Sequence, residues 1–179
     1  YGDRLHAASN PAQDLAEVIA RTIRRGGTIV IPAFAVGRAQ LLLYYLFMLK
    51  QEGRIPAHLP VFLDSPMAIN ASDLLLKYHN ELRLPAGTCR AICEIAKYTR
   101  TREESRALDG IATGLPAVII SASGMATGGR VLHHMKRFIG DARNTILFAG
   151  FQAAGTRGAR LLAGEEEIKI HGQMHPVRA

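Results

Sequence analysis

The sequence contains no tryptophan, two cysteines and 11 other aromatic side chains among its 179 residues. Cys89 and Cys93 are too few for a disulfide framework. No second Cys/His pair at ligand spacing lies near them, so they read as two small buried or half-buried thiols on one helix face rather than half of a zinc site. No stretch reaches the roughly 18 consecutive apolar residues a spanning helix needs, and no membrane association is expected. The longest apolar run, Leu41 to Leu49, contains tyrosines and is flanked by Gln40 and Lys50. The few aromatics fall mostly inside helix and strand patterns, so no base-reading aromatic cluster is expected. With 48% hydrophobic and 21% charged residues, disordered, collagenous and low-complexity classes are excluded. The length suits one domain that buries its own core. Reduced thiols and the lack of a signal peptide point to the cytoplasm. The chain begins at Tyr1 rather than methionine, and reads as a piece of a longer protein.

What is abundant is arginine, 17 against five lysines, within a formal net charge of +7. The excess is local. Between residues 121 and 164, Arg130, Lys136, Arg137, Arg143, Arg157 and Arg160 stand against Asp141 alone. Arginine presents a forked donor suited to phosphate. A basic, glycine-rich segment fits a polyanion such as nucleic acid, or else a merely solvated basic face.

Along the chain, strand and helix patterns alternate. Asn10-Pro11 reads as a helix start, with Gln13 placed to complete a capping box. Leu15, Val18, Ile19, Thr22 and Ile23 recur at helical spacing until Gly26-Gly27. Thr28 to Ala33 is a buried strand, followed by a helix from Arg38 to Lys50. Val61 to Leu63 is a strand ending at Asp64, followed by Ser65-Pro66 and a helix through Tyr78. Residues 80–110 read as two short helices, the second from Arg102 to Leu108. Ala117 to Ile120 is a strand, Ser121 to Gly129 a loop, and a helix runs on to Phe138. Asn144 to Phe148 is a strand, followed by the loop Gly150 to Gly158 and a short helix to Leu162. Glu167 to Ile170 reads as a last strand. This order predicts one α/β domain, Rossmann-like, with a largely parallel sheet and helices on both faces. Ligands of such sheets meet the loops at the carboxyl ends of the strands.

Three chemistries compete for those loops. Ser121-Ala-Ser-Gly-Met-Ala-Thr-Gly-Gly-Arg130 is neither a dinucleotide fingerprint nor a Walker loop, yet its glycines, hydroxyls and arginine suit contact with an anion. A serine hydrolase would need Ser121 or Ser123, a base at His133 or His134, and Asp64 as the orienting acid. The chain has no nucleophile elbow, and a histidine ten residues into the next helix points along it. His133 and His134 read instead as one buried and one exposed position of a helix. Metal hydrolysis needs clustered ligands. His6, His58 and His79 are isolated, and His171 and His175 are interrupted by glycine and proline, so no metal site is expected here.

Four ordered motifs nevertheless form a set: Ile31-Pro-Ala-Phe-Ala-Val-Gly-Arg-Ala-Gln40, Leu63-Asp-Ser-Pro-Met-Ala68, Ser121-Ala-Ser-Gly-Met-Ala-Thr-Gly-Gly129 and Gly150-Phe-Gln-Ala-Ala-Gly-Thr-Arg-Gly158. The set resembles the β-CASP region of RNA-processing metallo-β-lactamase nucleases, over nearly the whole chain and least over 80–110. The resemblance implies a cap domain, residues 1–179, inserted in a metallo-β-lactamase domain that holds two zinc ions, with RNA entering the cleft between the two. None of the family's H-x-H-x-D-H zinc motif is present, so no catalytic residue and no cofactor is expected in this chain. Tyr1-Gly2 matches the end of the family's acidic Glu-Ser/Thr-Thr-Tyr-Gly motif. Val177-Arg178-Ala179 stops shortly before the place of its Ser-Ala-His-Ala/Thr-Asp motif.

The resemblance implies a substrate-binding cap of a zinc-dependent ribonuclease, with single-stranded RNA and the metallo-β-lactamase domain of the same parent as partners. The candidate RNA- or phosphate-binding residues are Arg38, Asp64, Ser65, Ser121, Ser123, Gly124, Thr127, Gly128, Gly129, Arg130, Thr156 and Arg157. Asp64 either touches the substrate path or caps a helix. Arg38 opens a helix, where the dipole disfavours a cation, and so contacts substrate or partner, or pairs with an acid such as Asp64. A stand-alone Rossmann-like nucleotide or anion-binding module is the competing expectation.

Overall fold

Residues 10–111 and 115–179 are described by a computed structural model. Tyr1, Gly2 and His6 lie outside the described residues.

Three short apolar runs are buried from end to end: β1 (Ile29–Pro32), β2 (Val61–Asp64) and, further along, the strand Val118–Ser121. They are the centre of a five-stranded parallel sheet. With β3 (Lys97–Tyr98), β4 (Val118–Ser121) and β5 (Thr145–Ile146), the order is β3-β2-β4-β1-β5. Side chains alternate between faces. Ile29, Ile31, Val61, Leu63, Val118 and Ile120 pack on one core, while Val30, Phe62 and Ile119 pack on the other. Burial on both faces explains why these strands show no polar alternation.

The first face is covered by α1 (Pro11–Arg24), α2 (Arg38–Gln51), α3 (Pro66–Lys77) and α4 (Ala86–Glu94). The second is covered by α5 (Arg102–Ile111), α6 (Val131–Phe138) and a β-hairpin. A short α7 (Arg157–Leu162) follows β5. Local chemistry sets the helix starts. Asn10 Oδ1 accepts from the N–H of Ala12 at 3.0 Å, with Pro11 beside it. The expected capping box does not close, because Gln13 donates to Glu17 instead. Ser65 Oγ caps α3 by accepting from Ala68 N at 3.3 Å. Gly26 takes φ +69, and a Cβ on Gly27 would collide with the Arg143 carbonyl.

Two differences from the sequence reading have physical causes. Residues 80–110 contain the two helices but also β3, whose two residues carry no periodicity to read. Glu167–Ile170 forms no part of the main sheet. It is β6, paired antiparallel with β7 (Gln173–Pro176) through a turn in which His171 (φ 47) and Gly172 (φ 82) are both left-handed. Its exposed–buried alternation is the pattern of a strand with one wet face. Cys89 and Cys93 are both buried and unbridged on α4.

The register places Asp64, Ser121 and Pro32 side by side at the carboxyl ends of β2, β4 and β1.

Candidate nucleic-acid interface

At the end of β2 the Asp64 carboxylate is fully buried, and such a charge needs partners. Its Oδ1 accepts from Arg130 Nη1 at 2.7 Å, and its Oδ2 accepts from Ser105 Oγ at 2.5 Å and from His134 Nε2 at 2.7 Å. The Ser121 hydroxyl donates to the Asp64 carbonyl at 2.7 Å. The other imidazole nitrogen, His134 Nδ1, meets Asp109 Oδ1 at 2.5 Å. An imidazole between two carboxylates must donate from both nitrogens, so it is an imidazolium. Burial opposes that charge, but the bonds to Asp109 and Asp64 outweigh it and raise the pKa to about 9. Burial likewise pushes Asp64 up, and its bonds from His134, Ser105 and Arg130 overcome this and hold it below the ordinary carboxylate range. Two cations thus balance two anions in a closed network.

This network decides several sequence readings. Asp64 takes Arg130 and His134 as its partners, and not Arg38. His133 is exposed and His134 buried, as the helix pattern implied. His134 has no nitrogen left to accept a serine proton, and Ser121 is turned to a carbonyl, so a serine-hydrolase triad is not assembled. Arg130 also donates to the carbonyls of Thr99 at 2.9 Å and Arg100 at 3.1 Å. Its guanidinium ties β2, the β3–α5 connection and α6 together.

The two glycine-bearing loops are held in the same way. Ser123 Oγ accepts from the N–H groups of Thr127 (3.2 Å) and Gly128 (3.3 Å), and lies 3.2 Å from Thr127 Oγ1. Gly129, at φ +80, is pressed against the Ala122 carbonyl, whereas Gly128 faces open space. Arg157 donates to the carbonyls of Lys169 (2.7 Å), Ala126 (3.1 Å) and Thr127 (3.2 Å), a clamp between this loop and the hairpin. Thr156 caps α7 by accepting from Ala159 N at 3.2 Å. Gln152 donates to the Gly124 carbonyl at 3.0 Å and joins the second loop to the first.

The residue left uncommitted is Arg38. It is exposed and makes no side-chain hydrogen bond or ion pair with a described residue. Its loop is fixed from below. Buried Gln40 accepts from Gly37 N at 2.8 Å and donates to the carbonyls of Ala35 (3.2 Å) and Ala68 (3.1 Å). Arg38, Phe34, Phe151, Gly124, Met125, Gly150 and Pro32 line a hollow of about 230 Å³. Phe34 and Phe151 are 50% and 51% exposed, large apolar rings at a polar rim. A Cβ at Gly124 would lie 2.8 Å from the Phe34 ring, so glycine is what lets the ring stand there. The sequence reading did not place these two rings in one hollow. The two rings come from loops more than a hundred residues apart, and the only local signal was their place in Gly-containing strand-end motifs.

Among the described residues no group of three or more His, Cys, Asp or Glu side chains is placed to hold a metal ion. No described helix is long and apolar enough to cross a membrane.

A Beta-Casp domain family model matches residues 39–161. The chain belongs to the Beta-Casp family. The match takes in Asp64, the Ser121–Arg130 loop and the Gly150–Gly158 loop. Ribonuclease TTHA0252 of Thermus thermophilus is 37% identical over 189 residues, covering 100% of this chain and 42% of that protein. Transcription termination factor FttA of Methanosarcina mazei is 36% identical over 173 residues, covering 93% of this chain and 27% of that protein. FttA of Thermococcus kodakarensis is 36% identical over 165 residues, with 89% and 25% covered. The chain thus spans less than half the length of these Beta-Casp relatives.

Proposed function

We propose that this Beta-Casp chain is the substrate-gripping cap of a zinc-dependent ribonuclease and that its carboxyl-end rim binds single-stranded RNA. The observation that carries the reading is the hollow where a free guanidinium stands beside two half-exposed phenylalanines. Stacking on aromatics is a sequence-tolerant way to hold unpaired bases, and an arginine beside them serves a phosphate or a base face. Membership of the family and the names of the relatives support the same reading. The described residues do not suit a metal. Two zinc ions would therefore be held by a metallo-β-lactamase domain elsewhere in the longer protein, in the cytoplasm, and this chain binds RNA without cleaving it. Its contribution is to hold the strand so that the scissile phosphate is presented correctly, an effect worth several kcal/mol. Asp64, Arg130, His134 and Arg157 keep the two loops in shape, Ser65 and Thr156 start helices, and Arg38, Phe34, Phe151 and the open backbone at Gly128 meet the strand.

The test is fluorescence anisotropy with a labelled 12-mer oligouridylate across a salt series. Affinity is expected to fall steeply with salt, with a slope of roughly −0.7 per phosphate neutralised. Phe151→Ala should weaken binding about fivefold or more, the lower end of what one stacked base is worth. An affinity indifferent to both salt and Phe151→Ala overturns the reading, and saturation by a mononucleotide at this rim would favour the stand-alone nucleotide module.

A further inference from the structure

A second hollow, of about 760 Å³, borders the Asp64 network and is lined by residues of α5, the start of α6 and the hairpin turn. Its wall is cationic. Arg102 and Arg106 stand one turn apart on α5, both exposed, and neither side chain makes a hydrogen bond or ion pair with a described residue. Arg130 borders the floor. His133 of α6 and His171 of the hairpin turn close one side, their ring centroids 4.7 Å apart. Among the described residues Asp109 is the sole carboxylate in the lining, and it is already matched by the His134 imidazolium. The first-turn acids Glu103 and Glu104 do not line the hollow, and Glu104 is spent on the N–H groups of Arg100 and Thr101. His133 reports the local field. Partial desolvation, then the neighbouring His171 and His134, depress its pKa; Asp109 pulls the other way, by more than Arg106 adds to the lowering.

Concentrating unpaired cations in a concave site costs stability unless an anion relieves it. The hollow has the volume of a small-molecule site, more than a single inorganic anion fills. Two guanidiniums on successive turns of one helix offer forked donors to adjacent phosphoryl oxygens. We propose that this hollow is a nucleotide phosphate pocket, with Arg102 and Arg106 as its charge-bearing donors and His133 and His171 as its side wall. The phosphates come either from a free nucleoside diphosphate or from the backbone of an RNA strand that has passed the rim. The pocket itself uses none of Phe34, Arg38 or Phe151, and only the RNA source of its phosphates rests on the cap reading.

Titration calorimetry with ADP, and anisotropy with the same 12-mer, on the wild-type chain, Arg102→Ala/Arg106→Ala and Arg38→Ala provide the test. Both substituted α5 positions are exposed, so melting should be unchanged, and a Lys/Lys variant controls for charge. Saturable ADP binding that weakens about tenfold or more in the double Ala variant, with partial retention in Lys/Lys, is expected from the loss of two charge-assisted contacts. It should be unaffected by Arg38→Ala. If ADP fails to bind but the 12-mer loses affinity in the double variant, the source is RNA backbone. If neither ligand responds to the double variant, the pocket proposal is overturned, whatever Arg38→Ala does at the rim.

Discussion

Arg38 and Arg130 both stand at the carboxyl-end rim, and each sits at the start of the helix that follows its strand, one helix on each face of the sheet. Arg130 is drawn down onto buried Asp64 at 2.7 Å and two carbonyls. Arg38 stays in solvent beside Phe34 and Phe151. The difference is made by what lies beneath. Under Arg130 a strand ends in a carboxylate that must be neutralised; under Arg38 it ends in Pro32, which has no charge to satisfy. A cation in a glycine-rich motif therefore has two opposite uses, and only the neighbour across the sheet tells them apart.

The comparison breaks first on stability. Asp64→Ala should take from Arg130 its carboxylate and from His134 one of its two, leaving it Asp109 alone, and cost about 3–5 kcal/mol, read by urea denaturation. Arg38→Ala should change stability by less than about 0.5 kcal/mol. Similar costs for the two would mean that the network is not structural.

A pH series sharpens the same contrast. His134 is raised from 6.5 to about 9, so its contribution is complete below pH 6.5 and lost as pH rises through 9. Asp64 is lowered, so its contribution is present above the usual carboxylate pKa and lost as pH falls. Stability should drop by on the order of 3 kcal/mol between neutral pH and pH 9.5. His134→Gln should flatten that alkaline limb. An unchanged limb in the variant would assign the titration elsewhere.

The smallest effect separates Arg157 from Arg38. Arg157→Ala removes the donor to two carbonyls of the glycine loop and one of β6, and should cost about 1 kcal/mol of stability. Its direct loss of RNA affinity should be smaller than that of Arg38→Ala. If Arg157→Ala lowers the salt slope of binding by as much as Arg38→Ala while leaving melting unchanged, Arg157 faces the strand after all.

Much of the fold was legible because its signals are local. Asn10 caps its helix as its residue type predicts and Gly26-Gly27 ends α1, whereas α3 is capped by Ser65 and not by Asp64, whose side chain is taken up by Arg130, Ser105 and His134. The three central strands announce themselves as short apolar runs, β-branched in β1 and β4. The two-residue β3 and the hairpin partner β7 were not legible, since pairing rather than pattern makes them strands. The rim itself followed from strand–helix alternation, which places every strand-following loop at one end of the sheet. The occupants of that rim did not follow. Asp64 and His134 are 70 positions apart, and His134 and Asp109 are 25 apart.

Residue order alone was enough for the class of fold, the starts of most helices and the family, because these depend on periodicity, capping and short motifs that span a dozen residues or fewer. Which arginines are tied down, which histidine is charged and which phenylalanines face solvent was decided by the packing of β2, β4 and β1 in register. Charge neutralisation and ring exposure are set by neighbours in space, and those neighbours exist only once the sheet has formed.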